Sequence, residues 1–304
     1  MDRFDAMQAF ARVVETRSFT QAAQTLHMSK TTVTQLVQLL EARLRVKLLN
    51  RTTRKVNVTA DGAAYYERVV RLLAELDDAE SSISSASALP RGRLRVDMPS
   101  PLARMILVPA LPAFLARYPD IQLHMGVSDR EIDLIGENVD CVLRGGKPND
   151  PSLVARHVVD LGIGLYASPD YLANAGTPTH PLELEEPPHR VVGFLGSRTG
   201  RVLPFETRRG EELVRVSGRH AIALDDGNAY LAAGLAGLGA LWLPHYMAAP
   251  YLQAGDLQPL MTDWSVEPMP LYLVYPPHRH VGARLRVFLD WVAEVTAERG
   301  NALG

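Results

Sequence analysis

The sequence predicts an α/β protein with more than one domain, and three observations point to this fold class. The chain has 304 residues, which is enough for two or three compact units that each bury a core. Hydrophobic residues make up 47% and charged residues 22%, which excludes the disordered, collagen-like and disulfide-rich classes. Helical periodicity dominates residues 1–92, whereas short strands alternate with helices in residues 93–304.

Three short helices are predicted at the N-terminus. Apolar residues recur every three or four positions over residues 4–14, which is the spacing of one helix face. Ser18, with Gln21 three positions later, matches the capping pattern of a second helix, and Ser29 is placed to cap a third helix that ends at Leu44. A tight turn separates these two helices, so the pattern predicts a helix-turn-helix.

A hairpin and a long helix are predicted next. Residues 47–51 and 56–58 are short extended segments around a basic turn, which indicates a wing beside the helix-turn-helix. The long helix opens at Thr59 and carries an apolar stripe made of Tyr66, Val69, Leu73, Leu76 and Ile83. Such a stripe is typical of a coiled-coil dimer, and the alternative is that it packs on its own domain. A Ser- and Ala-rich segment then predicts a hinge at residues 88–92.

Two sets of strands and helices fill the rest of the chain. Strands at 94–96, 121–127 and 139–143 alternate with helices at 102–118 and 131–136, an order that predicts a mostly parallel sheet. The second set has strands at 162–167, 191–194, 219–223 and 240–243 and helices at 170–174, 228–235 and 245–254, so the sheet motif of the first set is expected to appear a second time. A final strand at 271–275 and a helix at 283–297 are expected to complete the first sheet. The predicted domains are a winged helix-turn-helix at 1–58, a linker helix with hinge at 59–92, and a two-lobed α/β domain at 93–304.

The net charge of −2 conceals a strong asymmetry. Residues 1–58 carry ten Lys or Arg against four Asp or Glu, whereas the remainder of the chain is acidic. Six bases between Arg43 and Lys55 follow one another without an intervening acid. A basic head on an acidic body is the charge distribution expected of a polyanion-binding protein.

The third helix carries side chains suited to reading double-stranded DNA. They offer hydroxyls for phosphates, methyl groups for thymine and amides for adenine, with no acid among them. We predict DNA contacts by Ser29, Lys30, Thr31, Thr32, Thr34, Gln35 and Gln38 in this helix and by Arg51, Thr53, Arg54 and Lys55 in the wing. The wing bases are expected over the phosphate backbone or the minor groove. The alternative is a three-helix module that binds protein through its polar face.

The chain resembles the LysR-type transcriptional regulators. The resemblance rests on Ser18-Phe19-Thr20-Gln21-Ala22-Ala23, Leu48-Leu49-Asn50-Arg51-Thr52-Thr53-Arg54 and Thr59-Ala60-Asp61-Gly62 in the head, and on Phe114-Leu115-Ala116-Arg117-Tyr118-Pro119 and Ala167-Ser168-Pro169-Asp170-Tyr171-Leu172 further along. The Leu49–Arg54 and Asp140–Arg144 runs are similar to the subgroup that contains the regulator CrgA. Gln35 stands where the family usually has a cation, so the DNA target does not follow from the resemblance.

The resemblance implies that residues 93–304 form an effector domain like a periplasmic binding protein, with a small molecule between its lobes. Helix N-termini at the carboxyl ends of strands attract anions, and Ser100 occupies such a place. By resemblance, Arg144-Gly145 after the third strand would face Ser100. Phe194 and Asp226-Gly227-Asn228 would come from the second lobe. The predicted effector-binding residues are Ser100, Arg144, Gly145, Phe194 and Asn228. Arg144 is expected to hold a carboxylate or carbonyl, and Phe194 to stack on an apolar body. Helix capping by Ser100 and Asn228 and an interlobe salt bridge at Arg144 are the alternatives.

The predicted function is sequence-specific transcriptional regulation, in which a small-molecule effector changes the DNA binding or DNA bending of the protein. The protein is expected to form a homodimer through the linker helix and to assemble into a tetramer or higher oligomer. RNA polymerase is left open as a further partner. The alternative is an enzymatic or solute-binding α/β domain fused to a DNA-binding head. No catalytic residue, cofactor or metal is predicted, because the glycines at 234–239 follow a helix rather than a strand and the histidines are scattered. The N-terminal residues lack a secretory signal, no apolar run reaches the ~20 residues needed to cross a bilayer, and Cys141 is the only cysteine, so we expect a cytoplasmic protein.

Overall fold

The computed structural model describes residues 2–51, 56–83, 89–130, 132, 134, 137, 139–148, 150–197, 199–277 and 281–301, with only the backbone given for Arg51 and for parts of two helices. The chain divides into two compact units, Met1–Ala88 and Leu89–Gly304. No helix among the described residues is both long enough and apolar enough to span a membrane.

The N-terminal unit contains the predicted helices and hairpin. Helices α1 (Arg3–Thr16), α2 (Phe19–Thr25) and α3 (Lys30–Leu44) precede strands β1 (Leu49–Arg51) and β2 (Val56–Val58), and α4 (Ala60–Ile83) follows. The two strands pair antiparallel. Ser18 and Ser29 are the N-caps of α2 and α3, where their hydroxyls accept hydrogen bonds from the N–H groups of Gln21 and Thr32. These caps form as predicted because each satisfies a backbone donor that the first helical turn leaves free.

The predicted stripe on α4 is partly covered by the head of the same chain. Tyr66, Val69 and Leu73 pack in a cluster with Met7 and Ala11 of α1, and Val69 is fully buried. Val69 therefore packs on its own domain, as the alternative has it, whereas Tyr66 and Leu73 are only half-buried and their predicted contact with a second copy stays a prediction. Helical spacing shows which side chains share a face but not which surface covers that face.

The first sheet of the C-terminal unit has five strands in the order β4-β3-β5-β15-β6. Strands β3 (Gly92–Met98), β4 (Ile121–Val127) and β5 (Cys141–Gly145) run parallel, and β15 (Met269–Tyr275) returns antiparallel between β5 and β6 (Val154–Leu161). The predicted return of the last strand is confirmed, whereas β6 was not predicted. The sheet and its helices form the first lobe.

Helices cover the first sheet. The predicted helix after β3 is continuous but changes character, since α5 (Ser100–Leu102) leads through a π-helical segment (Ala103–Leu107) into α6 (Val108–Arg117). The C-terminal α10 (Ala283–Asn301) buries Phe288, Leu289 and Val292 in the core. The predicted helix at 131–136 falls mostly on residues outside those described.

The second lobe is built around mixed pairings. Strand β7 (Ile163–Ala167) lies antiparallel between β12 (Leu241–Pro244) and β13 (Gln258–Leu260), while β8 (Gly193–Phe194) and β11 (Ala223–Leu224) pair parallel. Helices α7 (Pro169–Ala175), α8 (Gly227–Leu235) and α9 (His245–Ala254) accompany them. The expectation that this lobe repeats the parallel motif of the first is therefore wrong, because the periodicity that identifies a strand carries no information on its direction.

A further three-stranded sheet in the second lobe was missed. It consists of β9 (Phe205–Arg209), β10 (Glu212–Val216) and β14 (Ser265–Val266) in the order β10-β9-β14. Opposite charges face one another across β9 and β10, where Arg209 pairs with Glu212 and Glu206 with Arg215. These cross-strand charge pairs stabilise the hairpin.

Candidate functional site

Helix α3 presents the predicted polar face to solvent. Val33, Leu36 and Val37 are buried on its inner side, while Lys30, Thr31, Gln35 and Gln38 are exposed and Thr32 and Thr34 are half-buried. This division follows from the 3.6-residue period of the helix.

Some polar side chains of this face form hydrogen bonds within the protein, and others do not. Ser29 Oγ lies 2.8 Å from Thr32 Oγ1 in the cap, and the Thr34 hydroxyl donates to the Lys30 carbonyl at 2.8 Å. The side chains of Lys30, Gln35 and Gln38 make no hydrogen bond or ion pair with any residue that the structure describes. These three side chains are therefore available to an external partner, whereas the hydroxyls partly support the helix.

A buried carboxylate fixes the hairpin to α3. Glu41 is 4% exposed, and its Oε1 accepts hydrogen bonds from the N–H groups of Leu48 at 2.9 Å and Leu49 at 3.1 Å. Its Oε2 pairs with Lys47 Nζ at 3.2 Å. Burial raises the pKa of Glu41, but the hydrogen bonds from Leu49, Lys47 and Leu48 together lower it by more than burial raises it, so the pKa lies below its usual value. Sequence reasoning missed this role; the signal was an acid on the apolar side of α3.

The start of α4 is held against the same segment. The Thr59 hydroxyl accepts from the N–H of Gly62 at 2.9 Å and lies 2.8 Å from the Lys47 carbonyl oxygen, to which it donates. A Cβ atom at Gly62 would overlap the carbonyl oxygen of Leu48. Glycine is therefore required here so that α4 can approach the hairpin closely.

The wing is only partly described. Strand β1 places the backbone of Arg51 opposite Val56. The side chain of Arg51 and the predicted contacts Thr53, Arg54 and Lys55 lie outside what the structure describes. Their predicted contact with DNA stays a prediction.

In the C-terminal unit, Ser100 and Asn228 come together as the resemblance implied. Asn228 Nδ2 donates to Ser100 Oγ at 3.0 Å, across the two lobes. Asp226 Oδ2 lies 2.6 Å from the same hydroxyl, and the Ser100 N–H donates to Asp129 Oδ1 at 3.0 Å. The Gly227 N–H donates to Asp129 Oδ2 at 2.6 Å.

Arg144 is engaged elsewhere. Its guanidinium forms an ion pair with Asp97 and donates to the Arg130 carbonyl at 3.0 Å. Both residues of the ion pair lie on strands of the first sheet, so the salt bridge that was the alternative for Arg144 forms within one lobe and not between the lobes. Burial raises the pKa of Asp97, and the opposing effect of Arg144 does not fully offset it.

Gly145 and Phe194 have packing roles in the structure. A Cβ at Gly145 would lie 2.6 Å from Met269 Sδ on the neighbouring strand β15. The Phe194 ring is half-buried and meets Tyr230 of α8 edge to face, with 5.2 Å between the ring centroids. Neither contact includes Ser100 or Asn228.

Comparison with known families assigns both units. Residues 4–63 match the bacterial regulatory helix-turn-helix protein of the lysR family, and residues 87–297 match the LysR substrate binding domain, which alone covers more than half of the chain. The chain belongs to the LysR family. It is a DNA-binding transcriptional regulator with a C-terminal effector-binding domain, and the predicted family and fold class are confirmed.

Relatives span this LysR-family chain from end to end. It is 38% identical over 298 residues to an HTH-type transcriptional repressor of Pseudomonas aeruginosa, with 98% of this chain and 93% of the relative covered. It is 35% identical over 300 residues to the HTH-type transcriptional regulator CrgA of Neisseria meningitidis, with 98% of each covered. The solved CrgA structure has a TM-score of 0.61 and 34% identity, covering 95% of this chain and 97% of that one. The full-length structure of the Vibrio cholerae virulence activator AphB has a TM-score of 0.59 and 30% identity, covering 97% and 99%.

Asp129 is the main residue that sequence reasoning missed in this LysR-family protein. It follows the carboxyl end of β4, the edge at which α/β sheets place their ligands, and that position was the signal that could have identified it. Arg104, whose guanidinium lies 3.4 Å from Asn228 Oδ1, was also missed. Groups of His, Cys, Asp or Glu arranged to hold a metal ion are absent from the part of the chain that the structure describes.

Proposed function

We propose that this LysR-family regulator reads DNA with the exposed face of α3 and grips the phosphate backbone with the wing. The observation that carries the proposal is the free, solvent-exposed set of Lys30, Gln35 and Gln38 on one helix face. In a major groove, glutamine amides pair with adenine and a lysine pairs with guanine or a phosphate. Ser29, Thr31, Thr32 and Thr34 add hydroxyls and methyl groups along the same face.

The wing supplies affinity rather than sequence information. Arg51, Thr53, Arg54 and Lys55 follow α3 in a segment without acids, and phosphate contacts of this kind release counterions. DNA binding should therefore weaken steeply with salt. The proposed divisions are the DNA-binding head at 1–58, the linker helix and hinge at 59–92 and the effector domain at 93–304.

The linker helix is proposed to join two copies through the part of its apolar surface that α1 leaves uncovered. Leu72 is 47% exposed, and Leu76, four positions later on the same side of the helix, is half-buried. A two-fold dimer of this kind favours a near-palindromic operator with half-sites about one helical turn apart or a multiple of that. Assembly into a tetramer or higher oligomer is part of the proposal.

The effector is proposed to bind between the lobes, near Ser100 and Asn228. Phe194 packs against α8 one turn from Gly227 and is proposed to add an apolar wall, while Gly145 and the Arg144–Asp97 pair are proposed to shape the first lobe beside it. An effector changes DNA binding only if it binds one arrangement of the protein more tightly than another. The conformational change caused by effector binding is proposed to be transmitted to the DNA-binding head through the segment at 88–92.

The relatives that cover this chain carry names of transcriptional regulators. On that basis we further propose that the protein acts by binding in the cytoplasm, without catalysing a reaction of its own.

A mobility shift on the gene's own upstream region, titrated with salt, tests the proposal. Arg54→Ala should weaken binding and make the slope of log K against log[salt] shallower by about one unit, whereas Gln35→Ala should weaken binding to the operator much more than to random DNA. Arg208→Ala, which removes an exposed base from the C-terminal unit, is the charge-matched control and should leave both the affinity and the slope unchanged. Unchanged binding by Gln35→Ala and Arg54→Ala together would refute this interface.

A further inference from the structure

One carboxylate bridges the two lobes of the effector domain. Asp129 lies two residues after the end of β4 in the first lobe, and it accepts from the Ser100 N–H through Oδ1 at 3.0 Å and from the Gly227 N–H through Oδ2 at 2.6 Å. Ser100 begins the helical segment that follows β3, and Gly227 begins α8 of the second lobe. Both oxygens of one side chain therefore join helix starts that belong to different lobes.

A second carboxylate completes this contact. Asp226 Oδ1 caps α8 by accepting from the Ala229 N–H at 2.8 Å, and its Oδ2 lies 2.6 Å from Ser100 Oγ. The Ser100 hydroxyl has a single proton, and the 3.2 Å distance to Asp129 makes Asp226 the better acceptor. Since Asn228 donates to the same hydroxyl, Ser100 uses both its donor and an acceptor position within the protein.

The bridge places a charge where helices favour an anion. Backbone N–H groups in the first turn of a helix have no partner within the helix, and the helix dipole is positive at that end. The side chain of Asp129 supplies the negative charge from within the chain. The close approach depends on Gly227, because a Cβ there would lie 2.5 Å from Pro101 Cγ and 3.3 Å from Asp129 Oδ2.

Tethering gives Asp129 an advantage over free anions. A side chain attached to the same fold is present at a high effective concentration, so a free carboxylate at millimolar concentration competes poorly for the same amides. The amides of Ser100 and Gly227 become available only when Asp129 withdraws.

We propose that Asp129 is a built-in anion that latches the two lobes together and keeps free carboxylates from the amides of Ser100 and Gly227. An effector that carries a carboxylate then binds this place by displacing Asp129, which releases Gly227 of the second lobe from the first. The regulatory meaning of the latch rests on the proposed effector role of the cleft. The latch itself is a property of the isolated full-length protein.

Acetate is the probe for this latch. Asp129→Ala removes the carboxylate and leaves its two amide donors free, so its melting temperature should be lower than that of the wild type and should rise saturably with acetate, measured against NaCl at equal ionic strength. The wild type should show no saturable rise. Asp225→Ala, which loses the exposed carboxylate next to Asp226, is the matched control and should behave as the wild type does.

Asp129→Asn distinguishes an empty site from a weakened fold. It keeps a side chain of the same size in place but removes the charge, so it should be less stable than the wild type and should not respond to acetate. Hydrogen exchange at the amide of Gly227 gives a local readout. Exchange should be faster in both variants by on the order of tenfold, and acetate should slow it only in Asp129→Ala.

Three results would overturn the latch: no saturable effect of acetate on Asp129→Ala, an equal acetate effect on the wild type, or unchanged exchange at Gly227 in Asp129→Asn. Hydrogen exchange at Gly227 in Asp129→Asn also tests the latch if Asp129→Ala fails to fold. Because these assays contain neither DNA nor an effector, their failure would leave the DNA interface standing. Failure of the salt titration on DNA would conversely leave the latch intact.

Discussion

The Oε1 atom of Glu41 lies 2.9 Å from the backbone nitrogen of Leu48, inside the N-terminal unit. This contact ties the last turns of α3 to the chain that leads into the wing. A carboxylate that accepts backbone hydrogen bonds while almost fully buried has replaced its water shell with protein donors. The Glu41 side chain thus contributes to fixing the position of the hairpin relative to α3.

Glu41→Gln should destabilise the N-terminal unit. The variant keeps one acceptor oxygen but loses the charge, and charge-assisted hydrogen bonds contribute about 1.5–3 kcal/mol each, so we expect a loss of about 1–3 kcal/mol in the free energy of unfolding. Urea denaturation followed by circular dichroism measures it. The exposed Glu67→Gln on α4 is the control and should change stability by less than about 0.5 kcal/mol. Equal stabilities of the two variants would contradict the role given to Glu41.

The contribution of Glu41 should depend on pH in a defined direction. Its pKa in the folded protein lies below the reference value of 4.5, so the folded state holds its proton less tightly than the unfolded state does. The stabilisation is therefore fully present above the unfolded pKa and is lost as the pH falls through the folded pKa. The stability difference between wild type and Glu41→Gln should be constant near neutral pH and shrink below about pH 4.5. A difference that grows on acidification would show that the sign is wrong.

Arg144→Ala should destabilise the effector domain even without any effector. It leaves the Asp97 carboxylate buried without its cation, and breaking a buried ion pair in this way costs about 3–5 kcal/mol. Asp97→Asn combined with Arg144→Ala should recover a good part of that loss, because no buried charge remains. Thermal unfolding of the two single variants and the double variant measures this coupling. If the double variant is as unstable as the sum of the single variants, the two side chains are not coupled.

Gly62→Ala should destabilise the head, although helix propensity alone predicts the opposite. Replacing glycine by alanine inside a helix normally stabilises it by up to about 1 kcal/mol. Here the added Cβ would overlap the Leu48 carbonyl, so one of the two backbones must move, and such overpacking costs about 1–3 kcal/mol. Chemical denaturation of the variant gives the sign, and a gain in stability would show that α4 can move away without cost.

Leu72→Glu should weaken self-association. The substitution places a charge on the exposed apolar face proposed to join two copies, while Val69 and its contacts with α1 stay intact. Sedimentation velocity at several protein concentrations should show more monomer than for the wild type. Leu89→Glu alters a leucine that is also exposed but lies beyond α4, and it should not change the distribution. An unchanged oligomer with Leu72→Glu would remove this face from the interface.

Local patterns predicted much of the N-terminal unit and of its candidate site. The caps at Ser18 and Ser29 and the outward face of α3 depend on residues within one or two turns, so helical spacing was sufficient to find them. The same spacing could not tell that Tyr66 and Leu73 face α1, nor that Glu41 points inward to Leu48 and Leu49, because those partners lie elsewhere in the chain.

The amino-acid order alone therefore determined which segments become helices and strands at the start of the chain, the basic character of the head and the family. Folding in three dimensions decided the antiparallel course of β7, the pairing of Arg144 with Asp97, and the meeting of Asp129 with Ser100 and Gly227. The physical reason is distance along the chain. Backbone propensity and capping act between near neighbours, whereas a buried charge or an unpaired N–H takes whichever partner the packing of remote segments brings within hydrogen-bond reach.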